Sequence, residues 1–454
     1  MARLIRIFQA LRRHKKKTVF FSAVLGAGLN YAHEKYKENN MMRELCEEAM
    51  SYGEMSRPLG EPDRHITVLL NPAAQDGKSK AMFDKYCAPL LHLAGLKVAV
   101  VRTEHEGQAR DLMAIMEKTS GVVVAGGDGT LAEVLTGLLR RPDHKEASRK
   151  FPIGILPLGS TNTAASAIWG FMGASKPIHL AEATMAVVRD LRRPLDVMEI
   201  TPHKAAGQEE TPQSVFAASE VVWGALRDAA TRKDNYWYWP GVKKYMTYVF
   251  SSYKDLSWDC SAEVEYSLPC SGCSRCRAQS QLEVKTGDSS AQEPKRRWWM
   301  NYLPRTKPVV QKKESEDDEP DYSLITNESC GEQHHLSLGR ASEVVVMTRN
   351  TPQSSNTPPY ALALRTGVED IGAMDFISEG WNREWSGVRN YVEERLVGQV
   401  SISPTASTTN EQGEERELSI DSENFEVRPM TIRPRPKAVT IFAVPSTPLV
   451  QAAS

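Results

Sequence analysis

The sequence predicts an α/β fold joined to a β fold. A doubly wound parallel α/β domain comes first, a mostly antiparallel β-sandwich domain follows, and a short membrane-associated helix precedes both. Three observations predict this. From residue 65 to 190, short aliphatic runs alternate with amphipathic stretches of helical period. Nearly continuous aliphatic strands, each followed by a helix, belong to βαβ units whose sheet is covered on both faces. After Pro194 the helical period mostly stops and strand-like runs take over. Before residue 34 there is no acid, and Arg3, Arg6, Arg12, Arg13, Lys15, Lys16 and Lys17 precede an apolar run.

In the first half the pattern predicts strands over 66–70, 96–102, 121–125 and 153–156, and helices over 78–93, 107–118, 130–140 and 179–190. In the second half it predicts strands over 195–200, 214–222, 263–267, 343–348, 418–420, 427–432 and 438–443, with one helix near 243–253. The domains read as 1–62 (basic targeting segment, anchor and polar linker), 63–193 (nucleotide-binding) and 194–454 (β-rich). The last carries a polar insert at about 268–338 that is too charged to build a core. The stretch 400–415 reads as a second loop.

Composition limits the function. The net charge of -1 offers nothing to a nucleic-acid partner. Seven cysteines, an odd number, do not make a secreted disulfide framework. The run Thr18–Ala32 is shorter than the ~20 residues that span a bilayer comfortably, and it lacks a small-residue cleavage site. Basic residues ahead of it suit mitochondrial targeting with an anchor in or along a membrane.

The strongest chemical signal is Val122-Val-Val-Ala-Gly126-Gly127-Asp128-Gly129-Thr130-Leu-Ala-Glu133. A buried strand runs into three glycines and one carboxylate, and a helix follows. Glycines allow the backbone close to phosphate oxygens and permit positive φ, and the helix start offers N–H groups to an anion. Thr130 and Glu133 have the spacing of a capping box. Two more strand ends carry small-residue loops: Leu70-Asn71-Pro72 through Gly77-Lys78, and Leu156-Pro157-Leu158-Gly159-Ser160-Thr161-Asn162-Thr163. Three such loops at strand C-termini would form one rim suited to a nucleotide.

These motifs resemble the catalytic domain of the diacylglycerol kinase family, shared with sphingosine and ceramide kinases. Glu106-Gly-Gln-Ala109, Phe216 to Gly224, Tyr236-Trp-Tyr238 and Ser419-Ile-Asp421-Ser422-Glu423 resemble its acylglycerol kinase branch. The resemblance implies a lipid kinase that uses ATP and Mg²⁺ on the hydroxyl of monoacylglycerol and diacylglycerol, giving lysophosphatidic and phosphatidic acid. It implies Asp128 at the acceptor hydroxyl, as general base or organiser of the magnesium shell. Asn71, Gly77, Thr103, Gly126, Gly127, Gly129, Thr130, Glu133, Gly159, Ser160 and Lys244 would form the nucleotide site. Asp421 and Glu423 would lie at the magnesium and phosphate end, and Asp228 at the lipid head group. It also implies acylglycerols and a membrane as partners, the mitochondrial inner membrane as location with the kinase domain in the intermembrane space, and a kinase-independent role in the carrier-protein translocase there.

Two departures stand out. The family's Pro-Leu-Gly-Thr-Gly-Asn-Asp is here Pro157-Leu-Gly-Ser-Thr-Asn-Thr163, and its Asp-Gly-Glu is Asp421-Ser422-Glu423. Competing readings are a ceramide- or sphingosine-type kinase, a pyridine nucleotide kinase (which shares a related glycine–aspartate turn) and an import subunit alone. Cys270, Cys273 and Cys276, with Cys260 upstream, have spacing compatible with zinc but no second pair, so they are expected to be free thiols with no structural metal. Arg296-Arg-Trp-Trp-Met300 suits a membrane interface.

Overall fold

Nearly continuous burial along the first and third strands, with side chains alternating between two cores, explains the first half of the molecule. In β1 (His65–Leu70) and β3 (Gly121–Gly126), Ile66, Val68, Val123 and Ala125 enter one apolar core, while Leu69, Val122 and Val124 enter the other. Side chains of a strand alternate between faces, so helices must cover both. The helices Gln108–Ile115 and Asp128–Leu139 cover one face through Met113, Leu131, Val134 and Leu138. The helix Pro177–Val188 and the helical segment Ser79–Met82, Phe83–Cys87 and Ala88–Leu93 cover the other.

The computed structural model describes residues 15–55, 63–75, 77–171, 176–204, 212–239, 241–254, 260–276, 325–351, 354, 356–405 and 416–444, with only the backbone of 15–23, 234 and 254. The basic residues before Lys15 and the segment Arg296–Met300 lie outside these.

Among the described residues two sheets form. The first is 10-stranded and contains the parallel order β2-β1-β3-β4, with β2 Lys97–Arg102 and β4 Ile153–Pro157. It continues through β16 (Met430–Phe442), β13 (Gln399–Pro404), β8 (Cys260–Ser267) and β9 (Gln333–Ala341), with β5 (Arg192–Pro202) paired to β16 and β6 (Val215–Ala217) to β5. Ile441 and Phe442 pair parallel with β4, so the end of the chain returns to the α/β half and makes one sheet of both. The second sheet is 6-stranded: β12 (Glu393–Val397), β11 (Leu362–Thr366), β10 (Glu343–Met347), β7 (Glu220–Gly224), β14 (Glu417–Ile420) and β15 (Glu423–Glu426). Its apolar face meets the first sheet through Trp223, Val344, Val346 and Leu418 against Val264, Val400 and Ile432.

Several expectations change. The polar linker from residue 34 is instead the second part of a 40-residue helix, Lys15–Glu54. Met41, Met42, Leu45, Cys46, Ala49 and Tyr52 recur at helical spacing among charges and dock on the α/β core, where Glu48 also pairs with Arg189 at 2.7 Å. The run 214–222 is two strands, because the chain leaves β6 (Val215–Ala217) for the other sheet at Ala218 and Ser219. Conversely, the runs expected over 427–432 and 438–443 merge in one long strand, Met430–Phe442, with an irregularity between Arg435 and Val439, where Pro434 and Pro436 cannot donate ladder bonds. The insert is narrower than expected, since Gln333–Ala341 pairs with β8 and residues 269–276 are placed. Residues 400–404, read as part of a loop, belong to β13.

Candidate active site

The three strand-end loops converge. Asn71 N donates to Ala125 O (3.0 Å), Leu158 N to Gly126 O (3.0 Å) and Asp128 N to Thr161 O (3.3 Å). The Asn71 side chain donates to Thr130 Oγ1 at 3.2 Å and accepts from Ala73 N at 3.0 Å, closing the first loop. Thr103 N bonds Leu70 O at 3.0 Å, which places the end of β2 beside them.

The glycines serve close approach rather than unusual dihedrals. Gly126, Gly127 and Gly129 are all outside the positive-φ region, contrary to one part of the expectation, while Gly77 has φ +79°. A Cβ on Gly159 would strike Gly127 Cα, and one on Gly127 would meet Thr161 O at 2.9 Å. A Cβ on Gly129 would occupy the place of the Glu423 carboxylate. Two backbones and one acid therefore meet where side chains would keep them apart.

Asp128 is 2% exposed, at the first residue of the helix Asp128–Leu139. Its Oδ2 accepts Thr163 N at 2.8 Å and its Oδ1 accepts Ala164 N at 3.0 Å. Burial, then the nearby Asp421 charge, push its carboxyl up to about 7 against these bonds. The sequence reading did not foresee so strong a shift.

Asp421 comes from the turn between β14 and β15. It is 1% exposed and accepts four bonds: Ala218 N on Oδ2, and Ser219 N, Ser219 Oγ and Glu220 N on Oδ1, at 2.6–3.0 Å. These are the backbone donors freed where the chain changes sheets. Burial pushes the Asp421 carboxyl up against those same bonds. Glu423 stands at the surface and takes Gly129 N–H; burial of part of its carboxylate and the charges of Glu106 and Glu133 raise it.

The two departures from the family pattern meet each other. Ser422 occupies φ +69°, a conformation in which glycine is unstrained, and its Oγ lies 2.8 Å from Thr163 Oγ1. Thr163 also hydrogen-bonds Asp128. Where the family has an acid, this chain has a neutral bridge from Asp128 to the hairpin. Sequence reading noted both changes without connecting residues 259 positions apart.

Other assignments need correction. Glu133 is no partner of Thr130 in a capping box. Its carboxylate instead accepts Gly107 N at 2.8 Å and Ala109 N at 3.1 Å, capping the helix Gln108–Ile115 and shaping the rim. Lys244 lies on the helix Lys243–Lys254, with its ammonium 3.8 Å from Glu384 and over the Tyr245 ring; no described contact brings it to the loops. Asp228, expected at the lipid head group, is buried and pairs with Arg227 at 2.7 Å. Burial raises its carboxyl and Arg227 pulls it down. Arg227 also reaches Asn424 Oδ1 and Leu418 O, tying Asp228 to the hairpin that carries Asp421. Ser160 is exposed at the tip of its loop. Sequence reading missed Arg389, whose two bonds of 2.8 Å hold Glu220 at the start of β7.

With this geometry in place, comparison with known proteins is informative. The family described as diacylglycerol kinase catalytic domain matches residues 65–200, and that described as acylglycerol kinase C-terminal matches residues 219–448. The acylglycerol kinase, mitochondrial, of Homo sapiens is 31% identical over 443 residues, 96% of each chain. The chain belongs to the acylglycerol kinase family. It is an ATP-dependent lipid kinase. The Xenopus laevis relative of the same name is 40% identical over 269 residues, 59% of this chain and 61% of its own. A crystal structure of a diacylglycerol kinase from Bacillus anthracis aligns with a TM-score of 0.47 at 15% identity, covering 84% of this chain and 97% of that one.

Proposed function

We propose that the protein transfers the γ-phosphoryl group of ATP to the free hydroxyl of monoacylglycerol and diacylglycerol, giving lysophosphatidic and phosphatidic acid. The observation that carries the reading is the meeting of three strand-end loops at Asp128, opposite the hairpin Ile420–Glu423. Phosphoryl transfer depends on positioning and charge neutralisation. The N-terminus of the helix Asp128–Leu139 directs its dipole and N–H groups to the rim. Carboxylate oxygens suit a hard divalent cation, and Glu423 is the accessible one, so it would hold magnesium, which supplies neutralising charge along the phosphates. Asp421 does not fit that role, because its oxygens already accept four donors. Asp128 accepts the alcohol's proton: with Thr163 N, Ala164 N and the Thr163 hydroxyl bound, it keeps one of roughly four lone-pair positions, and its carboxyl is pushed up to about 7, near the optimum for a base at neutral pH.

Asp228, buried beside the same hairpin, would meet the glycerol head group. A small apolar pocket between the sheets, lined by Val221, Trp223, Val344, Val346, Leu418 and Met430, offers a start for an acyl chain. Two features support work at a membrane. Val24, Leu25, Leu29 and Tyr31 are exposed on the first helix, and Trp237, Tyr238, Trp239 and Trp385 are exposed on the β half. No helix among the described residues is long and apolar enough to cross a membrane. The mitochondrial names of the relatives and the basic N-terminus support a mitochondrial location, which we extend to the inner membrane with the kinase facing the intermembrane space.

Purified protein with radiolabelled ATP and a panel of monoacylglycerol, diacylglycerol, ceramide, sphingosine and NAD tests the proposal. Labelled lysophosphatidic and phosphatidic acids are expected; preferential labelling of ceramide or NAD would replace it with another branch. A kinase-independent role in the carrier translocase is proposed alongside. Asp128→Asn protein should sustain carrier import while deletion of the first helix abolishes it; loss of import in both would refute the separation.

A further inference from the structure

Four cysteines outside the kinase machinery come together at the neck of the insert. The Sγ atoms of Cys270, Cys273, Cys276 and Cys330 all lie within 4.8 Å of one another. The sequence showed three of them and suggested Cys260 as the fourth, but Cys260 is buried in β8 with its thiol 3.6 Å from Trp223 O. Pairing of Ser267 with Gln333 across β8 and β9 is what returns the chain and delivers Cys330.

The arrangement suits one tetrahedral ion. Bonds of about 2.3 Å to zinc set sulfurs roughly 3.8 Å apart at a tetrahedral site. Cys273 and Cys276 are 3.8 Å apart, at that spacing; Cys276 and Cys330, at 2.9 Å, are closer and would open to admit an ion. All four are thiols in the structure. Cys273 is fully buried and enters none of the apolar cores among the described residues. Donors already point at the sulfurs: Asn327 Nδ2 to Cys270 at 3.4 Å, and the backbone N–H groups of Arg275 and Cys276 to Cys273. Such outer bonds orient thiolate ligands and offset their charge. The two ligand-bearing segments are tied by Ser274 N to Ile325 O (3.0 Å) and Arg275 Nη1 to Glu328 O (2.9 Å).

We propose that Cys270, Cys273, Cys276 and Cys330 bind a structural zinc ion that locks the base of the insert to the β8–β9 hairpin. Four soft sulfur donors with no carboxylate or water ligand select zinc over magnesium or calcium, and a closed set leaves no position for chemistry. The site is separate from the lipid kinase residues and does not depend on their assignment.

The test is the metal content of the full-length protein, purified without chelator and measured by plasma mass spectrometry. One zinc per chain is expected, released by a mercurial reagent and replaceable by cobalt with the spectrum of a tetrahedral thiolate site. Zinc should fall about fivefold or more in Cys330→Ser and stay unchanged in Cys46→Ser. Because Cys330→Ser could unfold locally, the wild-type result decides on its own. Absence of zinc, iron in its place, or an intact mass showing a disulfide among the four would overturn the proposal.

Discussion

Asp128 in the α/β half and Asp421 in the β half are both buried acids in one site, yet they are held differently. Asp128 accepts two backbone N–H groups and the Thr163 hydroxyl, which leaves one of roughly four acceptor positions unspent. Asp421 accepts three backbone N–H groups and a hydroxyl, and those donors are the ones left over where the chain crosses between sheets. On the proposed reading, Asp128 is the acid available for chemistry and Asp421 the acid that builds the place for it. Proximity to the reaction does not decide the role; unspent hydrogen-bonding capacity does.

The largest effect on stability should come from Asp421→Asn. Its amide nitrogen would face backbone donors, leaving buried N–H groups unpaired, so unfolding in urea should show a loss of about 3 kcal/mol. A change under about 0.5 kcal/mol would remove the structural role. Next is Gly159→Ala, which forces the loops carrying Gly127 and Gly159 apart; a loss of about 1–3 kcal/mol with weaker ATP binding by calorimetry is expected.

A pH series sharpens the comparison further. The Asp128 carboxyl is raised from 3.8 to about 7 in the folded protein, so folding favours its protonated form. Its contribution to stability is fully present below 3.8 and is lost as pH rises through about 7. Melting temperatures of metal-free protein should therefore decline across that range, and less steeply in Asp128→Asn. Equal slopes would mean that burial does not perturb Asp128. The smallest effect belongs to Ser422→Gly. Relief of the positive φ gains about 0.5–1 kcal/mol, and loss of the Thr163 bond offsets much of it, so the melting temperature should move by only a degree or two.

The α/β half was legible because its determinants are local. Each strand of aliphatics, each small-residue loop and each following helix occupies one stretch of chain, so Asn71, Gly127, Asp128 and Gly159 could be named from the sequence. What was hidden depends on pairing at a distance. The β14–β15 hairpin meets the loop at Thr163, and Arg389 reaches Glu220 across 169 positions. The docking face of Lys15–Glu54 was missed because Met41, Leu45 and Ala49 are spaced among charged residues, where composition reads as linker. Glu133 misled because a capping-box spacing says which residues are near in sequence, not which helix they cap.

The most direct test of the contrast is single-turnover transfer from ATP to monoacylglycerol by Asp128→Asn, with Mg-ATP affinity measured on the same sample. Loss of a general base from an otherwise intact site predicts a transfer rate lower by about 10²–10⁴ with ATP affinity changed less than about threefold. A transfer rate within about tenfold of the wild type, at unchanged affinity, would contradict the assignment of Asp128 as the proton acceptor.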